Sequence, residues 1–369
     1  MKIKIGSLFA GVGGIELGLL GSKYKHHKFE AAWANEIDSY AIQTYRENFN
    51  HTLIEGDIQH ILNPSLAESE EEREKYTKKL QLITNEQIDI LTGGFPCQAF
   101  SIAGERKGFN DERGNLFWSI TGLIQKLPEK PRFLLLENVK NLKGHDGGRT
   151  YKIIKSELEK LGYTIKERVI NTLDITTIPQ NRERIYILGF KDPKDSDKFN
   201  FFDEDVFLKE KNKFSKKDRI DQIKSVISDN VTIESHPNLY YTENKYPHYY
   251  TKDRVNLDQD ITEENEFYQI RRGMYVRKNQ KGVSPTLTAN MGTGGHNVAL
   301  IKVQDGIRKL SPEEAFKLQG FPVDKGYILP KINKKTGKKF PSGQLYKQAG
   351  NAVTVDVVKK IGRELLKIL

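Results

Sequence analysis

The chain has 369 residues, room for two domains at about 150 residues each, with one cysteine and a formal charge of +10. A single cysteine excludes an internal disulfide framework and a cysteine-cluster zinc site and fits a reducing, cytoplasmic setting, so no metal is expected. The opening Met1–Gly6 lacks the apolar core of a signal peptide, no apolar run approaches the ~18 residues of a membrane span, and the basic balance favours a polyanionic partner.

Ile3–Phe9 reads as a strand that breaks into Ala10-Gly11-Val12-Gly13-Gly14, followed by the apolar helix Ile15–Leu20. Strand, glycine turn and helix open a nucleotide-binding βαβ unit, where glycines permit positive φ and let a ligand approach the backbone. Glu30–Glu36 is the next strand, ending in an acid about 20 residues past the glycines, the place of a carboxylate that accepts from ribose hydroxyls. The competing reading makes Glu36 a helix-start acid, with Asp38 beginning a helix through Asn48. His51–Glu55 is a third strand, leading into Gly56-Asp57-Ile58. Asn63–Gln87 is charge-rich (Glu68–Glu74) and reads as a solvated inserted helix without chemistry of its own.

Ile88–Thr92 is a short buried strand delivering Gly93-Gly94-Phe95-Pro96-Cys97-Gln98-Ala99-Phe100-Ser101. Cys97 therefore falls just past a strand's carboxyl end, the edge where open α/β sheets bind ligands. A thiol in a turn stiffened by Pro96 suits a nucleophile; the plainer alternative is a small buried hydrophobe. Ile102–Gly114 mixes glycines and charges at a length expected of a functional lid, and Asn115–Trp118 starts a helix. Arg132–Leu136 is a buried strand that delivers Glu137-Asn138-Val139. Tyr163–Leu173 and Arg184–Gly189 are two further strands. Between them, Arg182 and Arg184 alternate, so an extended segment would send both guanidiniums to one face.

From about Lys191 the βα alternation stops. Residues 191–280 are polar, aromatic and irregular, with tyrosines at 240, 241, 246, 249 and 250 and the basic run Arg271-Arg272-Gly273-Met274-Tyr275-Val276-Arg277-Lys278. Aromatics interleaved with arginine suit contacts to bases and phosphates. Ser284–Asn290 gives a strand and Gly292–Asn297 a glycine-rich loop. Ser311 caps a helix with Pro312 at its first position. Lys331–Lys339 resembles a surface linker, and Gly350-Asn351-Ala352-Val353 precedes an amphipathic helix to Leu369, expected to pack on the first domain.

In order, Phe9–Gly14, Asn35-Glu36, Gly56-Asp57-Ile58, Gly94–Gln98, Glu137-Asn138-Val139, Gln180–Arg184 and Gly350–Val353 resemble the motifs of the C5-cytosine DNA methyltransferases of bacterial restriction–modification type, almost end to end. Two departures are visible: Ser7 stands where many members have an acid, and Ile37 where an aromatic often follows the ribose-binding acid. The resemblance implies an α/β fold, with a Rossmann-like S-adenosylmethionine-dependent methyltransferase sheet and a second, smaller, irregular target-recognition domain. The boundaries that follow are 1–190 plus 349–369 for catalysis, 191–322 for target recognition and 323–348 for a hinge.

The resemblance also implies the chemistry. Cys97 adds to C6 of a cytosine turned out of the duplex, Glu137 supplies a proton at N3, and C5 then takes the methyl group of S-adenosylmethionine. Asn138 positions the cysteine loop and Arg184 binds the base O2, with Arg182 nearby. Phe9, Ala10, Gly11, Gly13 and Gly14 lie along the cofactor. Glu36 takes its ribose, with Ile37 beside it, Asp57 its adenine amine and Ile58 the ring face. Pro96, Leu116, Asn351 and Val353 complete that pocket. Gln98, Ser101, Arg113, Arg271, Arg272, Arg277 and Thr286 are the DNA-contact candidates. The implied partner is double-stranded DNA, met by a monomer whose cognate restriction endonuclease is a functional and not necessarily a physical companion. An RNA (tRNA) cytosine methyltransferase of the same fold is a rival, as is a catalytically silent DNA-binding protein. The recognition insert longer than 90 residues speaks against the first, and intact Cys97, Glu137 and Arg184 against the second.

Overall fold

The computed structural model describes residues 1–95, 116–251, 254–293 and 298–369. The chain divides into two compact units, one of Met1–Ile170, Glu183–Glu210 and Val355–Leu369, the other of Asn171–Arg182 and Lys211–Thr354.

In the first unit, β1 (Lys2–Leu8) is buried from Ile5 to Leu8, as a central strand covered on both faces requires. After the glycine turn come α1 (Gly14–Leu20), β2 (Lys23–Tyr24), β3 (His27–Glu36), α2 (Ser39–Asn48), β4 (Thr52–Glu55), α3 (Ile58–Leu62), α4 (Glu70–Thr84) and β5 (Ile90–Gly94). Then follow α5 (Leu116–Lys126), β6 (Phe133–Val139), α6 (Arg149–Lys160), β7 (Thr164–Asn171) and β8 (Glu183–Phe190), while α7 (Thr172–Ile175), between β7 and β8 in sequence, falls in the second unit. The strands form one sheet in the order β2-β3-β1-β5-β6-β8-β7, with β4 also on β3. β1 runs parallel to β3 and β5, β5 to β6, and β3 to β4, whereas β8 is antiparallel to β6. The crossovers put the carboxyl ends of β1, β3, β4, β5 and β6 on one edge, where the motif residues fall.

α8 (Pro193–Lys198) and α9 (Glu204–Glu210) also belong to this unit. Residues 191–210 were expected in the recognition domain. Instead Asp195 takes a bidentate bond from Arg132, and Phe199 packs on Phe190 and Phe202. The inserted stretch 63–87 does hold a helix, α4, capped by Ser69.

The second unit contains α10 (Lys216–Val226), α11 (Leu257–Asp260), β9 (Phe267–Arg271), β10 (Tyr275–Lys278), β11 (Leu300–Val303), β12 (Gly306–Lys309), α12 (Pro312–Lys317) and α13 (Ser342–Asn351). It is less irregular than expected: β10-β9-β11-β12 form an antiparallel sheet over a core that includes Val255, Leu257, Ile270 and Leu300. Ser311 does cap α12, reciprocally with Glu314, whose carboxylate also accepts two fully buried hydrogen bonds from Arg308. Ser284–Asn290, expected as a strand, makes only an isolated bridge at Ser284.

The chain ends in α14 (Val355–Lys367), which returns to the first unit and packs on α1. Two glycines make that close crossing possible. A Cβ on Gly18 would stand 2.6 Å from Val358, and one on Gly362 would stand 2.6 Å from Ser22 Oγ. Ser22 Oγ donates across to the Lys359 carbonyl at 2.9 Å. No described helix is long and apolar enough to cross a membrane.

Candidate active site

The β1 turn is wound in the left-handed region at Phe9 (φ 56), Gly11 (φ 58) and Gly13 (φ 83). An L-residue there costs about 1–2 kcal/mol, so something must hold Phe9. Glu36 supplies part of the hold. Its Oε2 accepts from Gly11 N at 2.7 Å, and its Oε1 accepts from Ile37 N and Asp38 N, both at 2.8 Å. The helix-start duty belongs to Asp38, which accepts from Tyr40 N and Ala41 N. Glu36 thus bridges the glycine turn to the end of β3. Beside it, buried Asn35 donates to the carbonyls of Ile54 and Gly56 at 2.8 and 3.0 Å, joining the ends of β3 and β4. Asp57 follows and caps α3 through Gln59 N at 2.8 Å.

The two turn glycines differ in surroundings. A Cβ on Gly13 would meet the Phe49 ring at 2.2 Å, whereas one on Gly11 would meet nothing within 4 Å. Gly13 is required by packing, and Gly11 faces open space. Ile37 is 62% exposed at the same edge, but Ile58 is 2% exposed and lies in the core. The apolar surface offered there is therefore that of Ile37, not Ile58. Leu116, the first residue of α5, and Phe9 pack partly buried against that core.

The ends of β5, β6 and β8 hold the second group. The register sets Gly94 beside Glu137 and Val139 beside Arg184. Glu137 is buried, and Arg184 Nε lies 3.1 Å from its Oε1 while Arg184 Nη1 donates to the Glu183 carbonyl at 2.8 Å. Asn138 Nδ2 donates to the Phe95 carbonyl at 2.6 Å, and its Oδ1 accepts from Val139 N at 2.8 Å. The Asn138 amide therefore holds the backbone at the residue before Pro96. Pro96, Cys97, Gln98, Ser101 and Arg113, with the expected lid 102–114, lie outside the described residues.

In the second unit Arg182 is 2% exposed, and its guanidinium is used on the backbone: Nη1 donates to Leu287 O at 3.0 Å, Nη2 to Gly350 O and Ala352 O at 3.2 and 2.8 Å. The two guanidiniums have different partners. Arg184 meets a carboxylate, and Arg182 ties together three loop carbonyls, two of them flanking Asn351. Asn351 itself is exposed and Val353 is buried. Gln180 joins the same knot, donating to Leu318 O at 2.6 Å and accepting from Leu287 N at 3.1 Å. Thr286, a DNA-contact candidate, donates its hydroxyl to Asn181 O at 2.7 Å. Arg272, Met274, Tyr275 and Arg277 are exposed on the β9–β10 hairpin, and Arg271 is half-buried. Arg272 and Gly273 both take positive φ in its turn.

One buried group escaped the sequence reading. Glu16, in the first turn of α1, is 1% exposed; burial pushes its carboxyl up to about 7. Tyr45 OH donates to its Oε1 at 3.1 Å and shares a 2.7 Å bond with His51 Nε2. An acid on the inward side of a glycine-turn helix was the available signal. Among the described residues no group of three or more His, Cys, Asp or Glu is placed to hold a metal.

The family model of the C-5 cytosine-specific DNA methylase matches residues 3–367. The type II methyltransferase M.Bsp6I of Bacillus sp. (strain RFL6) is 42% identical over 367 residues, covering 99% of both chains. M.HhaI of Haemophilus parahaemolyticus is 30% identical, covering 96% of this chain and 91% of its own. In fold, the S. pombe Dnmt2 methyltransferase is similar at a TM-score of 0.64 with 16% identity, covering 100% of this chain and 99% of its own. A putative DNA modification methyltransferase encoded within an E. coli prophage reaches 0.58 with 20% identity, covering 99% of each chain. The chain belongs to the C-5 cytosine-specific DNA methylase family and is a DNA (cytosine-5)-methyltransferase.

Proposed function

We propose that this protein methylates C5 of a cytosine turned out of a specific duplex DNA sequence, through a covalent bond between Cys97 and C6. The observation that carries the reading is the placement of Glu137, Arg184 and Asn138. A buried acid–guanidinium pair and an amide holding the Phe95 carbonyl meet at the strand edge that delivers Cys97. Turning out the base costs a few kcal/mol in lost stacking and pairing. Glu137, protonated as it meets the ring, hydrogen-bonds or protonates N3, and Arg184 holds O2. Electron density is thereby drawn from C6, and the Cys97 thiolate adds there, leaving C5 an enamine carbon. After C5 is methylated its proton passes to solvent, and the C5–H electron pair restores the C5–C6 double bond as the C6–S pair leaves with sulfur. Return of the N3 proton to Glu137 regenerates the thiolate, the acid and the aromatic ring.

S-adenosylmethionine, when bound, supplies an electrophilic methyl group on a sulfonium. The residues at the sheet edge suit it: the open side of Gly11, the exposed Ile37 and the Glu36 carboxylate fit a ribose and its base. Among the described residues Glu36 Oε2 accepts only the Gly11 N–H bond and keeps a lone pair for a ribose hydroxyl. Asp57 and Leu116 line the adenine side. The exposed arginines of the β9–β10 hairpin contact the DNA, with Met274 and Tyr275 between them, and Gln98, Ser101, Arg113 and Thr286 contribute where the base leaves the stack. The type II methyltransferase names of the relatives support a modification role, and the reading extends to a cytoplasmic, monomeric enzyme paired with a restriction endonuclease that acts on the same sequence.

The test is transfer of label from S-adenosylmethionine to duplex DNA or tRNA, with Cys97→Ala as control. Label in DNA that disappears with Cys97→Ala supports the reading. Label in tRNA alone favours the RNA enzyme, and DNA binding without transfer favours a silent binder.

A further inference from the structure

The inserted helix α4 has no part in the chemistry above, yet one of its side chains reaches the cofactor edge. Lys79 Nζ donates to the carbonyl of Glu55, the last residue of β4. It also lies 3.4 Å from where a Cβ on Gly56 would stand. Gly56 has φ +124, a conformation open to glycine, and hydrogen bonds select it among those that glycine can adopt. β3 contributes two ties: Gly56 N donates to Glu36 O at 2.9 Å, and Asn35 donates to Gly56 O at 3.0 Å. Lys79 provides a third, from the opposite side in sequence. The helix that carries Lys79 is firmly seated. Ile83 is fully buried, Tyr76 and Leu80 pack on the core, and the Tyr76 ring lies 5.6 Å from that of His60 on α3.

We infer that Lys79 is a positioning residue for cofactor binding: the insert clamps the Glu55-Gly56 backbone and so sets the direction in which Asp57 presents its carboxylate. The inference rests on the proposed role of Asp57 toward S-adenosylmethionine. A charge-assisted bond to a carbonyl is among the stronger neutral-backbone contacts. Its loss frees the turn without touching the cysteine, Glu137 or the DNA-contacting hairpin. The signature is accordingly confined to one ligand.

S-adenosylmethionine is titrated calorimetrically into full-length wild type, Lys79→Met, Lys79→Arg and Asp57→Ala, with steady-state kinetics on duplex DNA in parallel. Lys79→Met, which keeps the aliphatic stem and loses the donor, is expected to weaken binding about tenfold, or about 1.4 kcal/mol. KM for S-adenosylmethionine rises in step, kcat at saturation stays within twofold, and Lys79→Arg recovers most of the affinity. Unchanged affinity in Lys79→Met beside a weakened Asp57→Ala overturns the inference and leaves the cofactor site standing. Unchanged affinity in Asp57→Ala removes the cofactor role of Asp57 and the inference with it. A lower Tm with unchanged affinity marks Lys79 as merely structural, also overturning the inference. Should Lys79→Met fail to fold, Lys79→Leu, which also lacks a donor, carries the same measurement with the same outcomes.

Discussion

Arg184 and Glu137 face each other from antiparallel neighbours, Nε to Oε1 at 3.1 Å, on side chains that are only 16% and 11% exposed. In so little water an arginine–carboxylate contact orients both groups. The pair gives the strand edge one polarised spot, one step across the sheet from the strand that leads to Cys97.

The two arginines of the Gln180–Arg184 motif are predicted to fail differently. Arg184→Gln lowers kcat by roughly 10²–10³, the usual effect of removing one preorganised donor. Arg182→Gln instead destabilises the fold, because the carbonyls of Leu287, Gly350 and Ala352 lose their donor at about 1–3 kcal/mol for each left unsatisfied. Urea unfolding and single-turnover rates on the two variants separate these effects. A stable, inactive Arg182→Gln would return that residue to the chemistry.

Gly11→Ala tests the cofactor edge. Its φ of 58 makes alanine strained by about 1–2 kcal/mol, but no atom lies within 4 Å to clash. The variant should fold and lose S-adenosylmethionine affinity by more than roughly tenfold, about 1.4 kcal/mol. Calorimetry showing wild-type affinity would place the ligand elsewhere.

Glu16 makes stability depend on pH in a defined direction. Its folded pKa, about 7, lies above the ordinary value of 4.5. Below 4.5 both states are protonated. Between 4.5 and 7 the unfolded chain loses this proton while the folded one keeps it, so Glu16 lowers stability as pH rises through that window and by a constant amount above it. Glu16→Gln should therefore gain Tm relative to wild type progressively across the window and hold the gain beyond it. A Tm difference that does not change with pH would contradict this.

The first unit's order of glycine turn, acid and buried strands is legible in the sequence, and the reason is chemical. A left-handed turn selects glycine, which marks Gly11 by type, whereas Glu137 and Asn138 are marked by the motif they share at the end of a buried strand. Ser284–Asn290 did not. Its threonines alternate as in a strand, but Thr286 Oγ1 bonds Asn181 O and Leu287 N bonds Gln180 Oε1. Side chains there have replaced the partners a ladder would offer. The β9–β10 and β11–β12 hairpins were also overlooked. Arg272-Gly273 and Asp305-Gly306 were turn signals, masked by the charge and aromatic content around them. Lys79 was illegible because a lysine in a charged helix looks solvated until its partner carbonyl is located.

The β9–β10 hairpin should carry electrostatic binding energy. Arg272→Asn removes a charge while tolerating the positive φ of that position. Titrating duplex DNA at several salt concentrations should give a log–log slope shallower by about 0.9 for one lost phosphate contact, with S-adenosylmethionine affinity unchanged. An identical slope would remove Arg272 from the DNA interface.

The covalent bond to the pyrimidine is tested most directly with duplex DNA carrying 5-fluorocytosine at the target position, incubated with the protein and S-adenosylmethionine. Fluorine cannot leave as the C5 proton does, so a denaturation-resistant protein–DNA adduct should accumulate, with its mass equal to protein plus methylated strand and its attachment mapped to Cys97. Full methylation of ordinary DNA with no adduct on the fluorinated strand would show that the reaction proceeds without that bond.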